Sequence, residues 1–252
     1  MDWTDEGIVL ASRRHGDSSA VVQLLTRDHG RHAGLARGGR ASKGRGVYQP
    51  GNLLSVQWRA RLAEHLGAYT CELSQGYAAM LLDDPLRLAG LSSACAVAEA
   101  SLPERHPYPK LYAGFLVLLD AFVTSPAWAA IYARWELGLL DELGFGLDLS
   151  QCASSGATDD LIYVSPKSGR AVSRQAGEPY HDKLLPLPGF LIGGNDGDTG
   201  DILAALKLTG SFLDRHVFAP HDRKLPAARG RFIDRLTRPP TISGGIKEND
   251  RA

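Results

Sequence analysis

The sequence predicts an α+β protein built from more than one domain, and three observations carry that expectation. Short β-prone runs follow one another over about the first seventy residues, the period lengthens from two to about three and a half near residue 80, and an irregular stretch over 147–198 interrupts the helical pattern. A chain of 252 residues with 44% hydrophobic content is long enough for one large domain or two to three small ones. Its 28 basic and 28 acidic residues balance to zero, so a case for a polyanionic partner has to rest on local clustering.

From Gly7 to Leu73 the chain reads as strands. Ile8-Val9-Leu10-Ala11 and Ala20-Val21-Val22-Gln23-Leu24-Leu25 are β-prone runs separated by the polar turn His15-Gly16-Asp17-Ser18. Asp28-His29-Gly30 offers a hairpin turn into a third strand over Arg31 to Gly38. After Pro50-Gly51, Leu54, Val56 and Trp58 point one way and Ser55, Gln57 and Arg59 the other, which is a half-buried strand. Leu66 to Leu73 pairs with it across Arg61-Leu62-Ala63-Glu64-His65. Short strands with the longest loop between the third and fourth predict a small closed barrel of the OB type, a fold whose groove commonly takes single-stranded nucleic acid.

That longest loop is Arg37-Gly38-Gly39-Arg40-Ala41-Ser42-Lys43-Gly44-Arg45-Gly46-Val47-Tyr48, where positive charges alternate with glycine. Nothing in it builds a core, so it is expected to be a flexible cationic loop that lies along a phosphate backbone, or else a plain solvated loop. Arg37, Arg40, Lys43 and Arg45 would neutralise phosphates, Arg59 and Arg61 would extend the positive surface, and Tyr48 would offer a ring for a base to stack on.

Beyond residue 78 the pattern is helical. Asp84-Pro85 supplies an N-cap and a proline at the first helical position of a helix ending near Pro103, and a second helix runs from Pro109 through Phe122. A third opens at Ser125-Pro126, carries Trp128, Ile131, Tyr132, Trp135 and Leu139 on one stripe, and stops at Gly144. The stripe is read as core, because aromatic residues at helical spacing mostly bury themselves. Residues 147–198 form an irregular insert with a hairpin, Leu161-Ile162-Tyr163-Val164 and Ala171-Val172-Ser173. Helices return from 199 to 238, where Arg231, Arg235 and Arg238 share one side of the last helix and, with Arg229, suggest a second cationic surface. A solvated face is the plainer reading of these arginines. The expected domains are 1–78, a helical domain from 79–146 and 199–238, the insert 147–198, and a frayed tail 239–252.

No catalytic motif stands out. Gly38-Gly39-Arg40-Ala41-Ser42-Lys43-Gly44 lacks the Gly-Lys-Ser/Thr end of a nucleotide-binding loop. His15-Gly16-Asp17 and His221-Asp222 pair a base with a carboxylate, but a metal-dependent phosphoesterase needs several convergent ligands. Cys71, Cys95 and Cys152 are odd in number and far apart, which argues for free thiols in a reducing compartment and against a four-ligand zinc site. The acidic start Met1-Asp2-Trp3-Thr4-Asp5-Glu6 is unlike a signal peptide and no run is long enough to span a membrane.

Several segments in this order resemble the RecO family of bacterial recombination mediators. They are Gly7-Ile8-Val9-Leu10 with His15-Gly16-Asp17-Ser18-Ser19, the turn Asp28-His29-Gly30, Leu139 through Leu149 with Cys152, and Tyr163 through Ser173. The resemblance implies an N-terminal OB-fold barrel, a helical domain and an insert that is a degenerate zinc finger. Some members carry two Cys-x-x-Cys pairs there, whereas here Ser155, Val172 and Gln175 accompany Cys152, so no metal or other cofactor is expected. It further implies a cytoplasmic, nucleoid-associated protein without enzymatic activity that binds single- and double-stranded DNA, anneals complementary strands, and acts with RecR and the C-terminal tail of single-strand-binding protein in loading RecA. The competing readings are an OB-fold protein that binds structured RNA and a metal-dependent nuclease using His15, Asp17, His221 and Asp222.

Overall fold

A computed structural model describes residues 1–39, 42–194 and 197–238. Five strands open the chain: β1 (Asp2–His15), β2 (Ser19–Thr26), β3 (Gly30–Ala36), β4 (Leu53–Arg59) and β5 (Ala68–Gln75). Their order is β1-β2-β3-β5-β4, and the sheet closes on itself because β1 pairs with β4 as well as with β2. The sheet is mixed. Every contact is antiparallel except that of β3 with β5, which is parallel and only two residue pairs long, Leu35 with Ala68 and Ala36 with Tyr69. On β4 the period-two pattern holds: Leu54, Val56 and Trp58 are buried while Ser55, Gln57 and Arg59 are exposed.

Alternation on β1 also joins the sheet to the rest of the molecule. Val9 turns inward with Val22, Leu24, Leu54 and Val56, whereas its neighbours Ile8 and Leu10 join a second core made with the helices. Fully burying an aliphatic side chain contributes about 1.5–3 kcal/mol, so those two residues alone hold the sheet firmly against its neighbour.

The helices are α1 (Ser42–Val47), α2 (Tyr77–Met80), α3 (Pro85–Ser101), α4 (Pro109–Thr124), α5 (Trp128–Glu142), α6 (Arg174–Gly177), α7 (Thr199–Phe212) and α8 (Ala227–Leu236). Asp84 caps α3 as its sequence predicts, its Oδ1 accepting from the backbone N–H of Leu86 at 3.1 Å and of Arg87 at 3.0 Å. Trp128, Tyr132, Trp135 and Leu139 are buried in the bundle, so the aromatic stripe is core. Past α7 the chain continues through a π-helical turn, Leu213–Phe218, and reverses at Asp222, whose φ is 54°.

The expected fold class needs correction. In place of an OB-fold barrel standing apart from a bundle with a degenerate zinc-finger-like insert, the chain has a closed, mixed five-stranded sheet and a helical body that share a core with an ordered insert. The insert is a three-stranded sheet, β7 (Ala171–Ser173), β6 (Leu161–Val164) and β8 (Leu185–Pro186), and its Leu161, Val164 and Ala171 belong to the same apolar cluster as the helices. Among the described residues no group of three His, Cys, Asp or Glu side chains could hold a metal ion. Cys152 is buried instead, its sulfur accepting from the Ser173 N–H at 3.3 Å and the Ser173 hydroxyl at 3.4 Å. Packing of Leu161, Val164 and Ala171 against the helices orders this segment. All three cysteines are free.

Candidate nucleic-acid interface

The register of the sheet gathers the cations expected at its rim. Arg59 is aligned with Ala68 at the start of β5, and Ala68 is aligned with Leu35, so Arg37 just past β3 and Arg59 at the end of β4 flank the first residues of β5. Arg61 follows in the connection to β5. All three side chains are exposed, and among the described residues none is engaged by a carboxylate. Arg40 lies outside the described residues. Lys43 and Arg45 belong to α1 by their backbone, so the loop expected to be flexible contains a short helix; their side chains are outside what the structure describes.

Two features fold this loop back on the sheet. Gly44 approaches the turn so closely that a Cβ there would stand 2.5 Å from the Gly38 carbonyl oxygen. Asn52, 2% exposed, donates from Nδ2 to the carbonyls of Gly46 at 2.9 Å and Val47 at 3.1 Å, while its Oδ1 accepts from the Ala78 N–H at 3.2 Å. A single amide thus ties the loop to β4 and α2. Tyr48 is half-buried against the interior of the sheet. Burial, together with the neighbouring Cys71 that its hydroxyl bonds, pushes its phenol well above the usual tyrosine range, and burial pushes the Cys71 thiol up to about 11. The Tyr48 ring is part of the wall of the sheet more than a free platform for a base.

The arginines of α8 do not form one surface. Arg229 is 4% exposed, its Nε 2.7 Å and its Nη2 2.8 Å from the two oxygens of the fully buried Glu136 carboxylate on α5. Its Nη2 also donates to the Leu206 carbonyl at 2.6 Å, and the Thr209 hydroxyl donates to Glu136. Gly210 makes the room: a Cβ there would meet the guanidinium at 2.7 Å. Burial alone would lower the pKa of Arg229, but the Glu136 carboxylate outweighs it and holds the guanidinium firmly charged. Arg229 is therefore withdrawn from the expected cationic surface, because its depth and bidentate pairing leave nothing for a phosphate. Arg231 and Arg235 are exposed and border a groove of about 180 Å³ between α3 and α8, where the Arg235 Nη1 donates to the Pro85 carbonyl at 3.1 Å.

Two cavities went unread in the sequence. The larger, about 590 Å³, lies at the end of the sheet near Arg59 and Arg61 and is lined by Trp3, His29, His32, Trp58 and, across from them, Ala63 and Arg105. Its residues come from three strands, a hairpin turn, the connection from β4 to β5 and a loop after α3, so no local spacing marks it. The other, about 430 Å³, is an apolar groove between α4 and α5 formed where Gly114 and Gly138 leave the wall low beside Val117 and Trp135, with the exposed Lys110 at its rim. The Trp135 Nε1 is buried without a hydrogen-bond partner among the described residues. His15 and Asp17 of the first turn and His221 and Asp222 after α7 join no set of three metal-ligating side chains among the described residues, which leaves a metal-dependent nuclease without a centre.

Comparison with known proteins gives the same answer over nearly the whole chain. Residues 1–77 match the family described as Recombination protein O N terminal, and residues 82–225 match Recombination protein O C terminal. The protein named DNA repair protein RecO in Rhodospirillum centenum is 54% identical over 246 residues, covering 97% of this chain and 98% of that protein. Its namesakes in Rhodospirillum rubrum and in a Jannaschia species are each 51% identical, covering 94% and 97% of this chain and 97% and 100% of their own lengths. Full-length identity of this order, reached on both family halves in the expected order, establishes that the chain belongs to the RecO family of DNA-repair and recombination proteins.

Proposed function

We propose that this chain binds single- and double-stranded DNA, anneals complementary strands and, with RecR, helps load RecA onto strands coated by single-strand-binding protein. The protein is a mediator in recombinational repair and not an enzyme. The observation that carries the DNA-binding reading is the set of exposed arginines, Arg37, Arg59 and Arg61, around the start of β5. Cations held on a rigid rim neutralise phosphates without covering base edges. Each contact adds a salt-dependent increment, with log K falling by about 0.7–0.9 per contact per decade of salt, so a few contacts give sequence-tolerant binding that releases product readily. Screening two strands in this way lets them pair.

Arg231 and Arg235 supply a second basic surface that holds the other strand, and the groove between α4 and α5 suits the acidic, aromatic tail of single-strand-binding protein. The groove offers an apolar floor and the Lys110 cation at its edge. No helix of the described residues is long and apolar enough to cross a membrane, and a DNA partner places the protein at the nucleoid in the cytoplasm.

Annealing of complementary oligonucleotides, bare and coated with single-strand-binding protein, tests this reading. The wild type accelerates pairing, and replacing Arg37, Arg59 and Arg61 together with alanine abolishes the acceleration while the fold melts normally. A folded wild type that leaves annealing unchanged, or that is displaced from DNA more readily by a matched RNA, would overturn it. Charge reversal at Arg231 and Arg235 that leaves annealing intact removes the second surface alone.

A further inference from the structure

The cavity beside Arg59 and Arg61 has the walls of a base-binding site. Trp58, Trp3 and His29 form a ladder of near-parallel rings, with centroids 5.5 Å apart at 18° between the tryptophans and 4.1 Å apart at 9° between Trp3 and His29. The ladder runs from the buried Trp58, 2% exposed, to His29, whose side chain is 34% exposed. His32 meets both tryptophans edge-on, at 5.1 Å from each. Aromatic rings stacked in this way present flat apolar surface at no further ordering cost.

The outer ring is fixed in place. Asp5, with its side chain fully buried, accepts from the Asp28 N–H at 2.9 Å and stands 2.9 Å from the His29 Nδ1, so the hairpin turn and the imidazole are held by one carboxylate. On the opposite wall Arg105 adopts a left-handed conformation, φ 60°, which is uncommon for a residue with a side chain. Its N–H donates to the Arg31 carbonyl at 2.8 Å, and its guanidinium donates to the carbonyls of Glu64 and His65 at 3.0 and 3.2 Å. That strained residue therefore clamps the connection carrying Arg61 and Ala63 over the mouth.

The charge distribution separates rings from phosphates. Burial, with the nearby Arg105 cation, lowers the His32 pKa to about 4, so the inner wall is neutral at physiological pH. Asp2 and Asp28 stand exposed at the rim and repel phosphates, whereas Arg59, the strand neighbour of Asp2, and Arg61 lie just outside. A volume of about 590 Å³ falls within the usual range for small-molecule sites and accommodates one heterocycle with its sugar.

We propose that this cavity takes one unpaired base of single-stranded DNA, which extends the Trp58, Trp3 and His29 ladder while the flanking phosphates stay outside on Arg59 and Arg61. The inference rests on the DNA-binding reading above and adds to it a discrimination that arginines alone do not give. A paired base cannot enter, so the site favours a single strand over a duplex, and every base has a π-face, so it does so without choosing sequence.

Fluorescence anisotropy with three DNAs of equal length separates the two claims: a single strand, a fully abasic single strand and a duplex. The wild type binds the normal strand about 5- to 150-fold more tightly than the abasic one, the range set by stacking of one base on aromatic side chains. Ala63→Trp, which fills the mouth and removes no wall or charge, abolishes that preference and leaves abasic and duplex binding unchanged. Ala63→Leu, a smaller apolar plug at the same mouth, does the same and stands in if Ala63→Trp melts abnormally. Equal wild-type affinity for normal and abasic strands, or a preference that survives both folded variants, overturns the base site while the DNA-binding reading stands. Wild-type protein that binds none of the three overturns both.

Discussion

The rim of the sheet and the interior of the bundle use the same residue type to opposite ends. Arg59 and Arg61 project into solvent, whereas Arg229 is enclosed by α5, α7 and α8 with both oxygens of Glu136 on its guanidinium. Exposed cations contribute little to folding and are left available to a polyanion; a buried one contributes to the position of four helices and is available to nothing. The network includes Tyr132, whose hydroxyl donates to Glu136 at 3.1 Å and lies 2.7 Å from the Ser93 hydroxyl on α3. Only Gly230 separates Arg229 from Arg231 along α8, yet that step crosses from core to surface.

The comparison is broken most easily at Arg229. Arg229→Ala leaves the Glu136 carboxylate buried and unpaired and destabilises the protein by about 3–5 kcal/mol in urea unfolding, whereas Arg229→Met combined with Glu136→Leu recovers most of that loss. At the rim the order inverts. Replacing Arg37, Arg59 and Arg61 with alanine shifts stability by less than about 0.5 kcal/mol, but it lowers single-strand affinity about 100-fold at 0.1 M salt and flattens the plot of log K against log salt by about two.

A smaller effect sharpens the contrast at the wall of the aromatic cavity. The folded-state pKa of His32, about 4, is below its unfolded value of about 6.5, so above pH 6.5 both states are neutral and the full stability is present. As pH falls from about 6.5 towards 4 the unfolded chain takes up the proton first, and stability drops by about 3 kcal/mol before levelling off. His32→Gln removes that part of the loss, which thermal melts at pH 7 and pH 4.5 read as a smaller separation between the two curves. Smallest is Tyr48→Phe, which deletes the hydroxyl beside Cys71 and costs about 1 kcal/mol, with single-strand binding unchanged because the ring already belongs to the wall.

What was legible in the sequence was what is local. Asp84-Pro85 announces the start of α3 because a cap and a fixed φ act within one turn, and the alternation from Leu53 to Arg59 announces a half-buried strand because neighbouring side chains must take opposite faces. Depth is not local. Helical spacing sets Arg231 and Arg235 apart from Phe232, but it does not reveal that Arg229 meets a carboxylate 93 residues away. The aromatic cavity was hidden for the same reason, since Trp3, His29, Trp58 and Arg105 come together only once the strand register is set. The insert misled differently: Cys152 reads as the remnant of a metal site, whereas its sulfur is an acceptor for Ser173 in a packed core.

The two residue pairs joining β3 to β5 make that seam the thinnest part of the sheet. Every other boundary spans seven or more aligned pairs, so a local opening that spares the remaining ladders separates Leu35 and Ala36 from Ala68 and Tyr69. The Leu35 amide, bonded to the Gly67 carbonyl at 3.0 Å, then exchanges its hydrogen with solvent without global unfolding. Such an opening turns a closed surface into one with two free edges, and those edges lie beside Arg37 and Arg59, so DNA laid across both arginines would act as a staple that slows exchange along the seam.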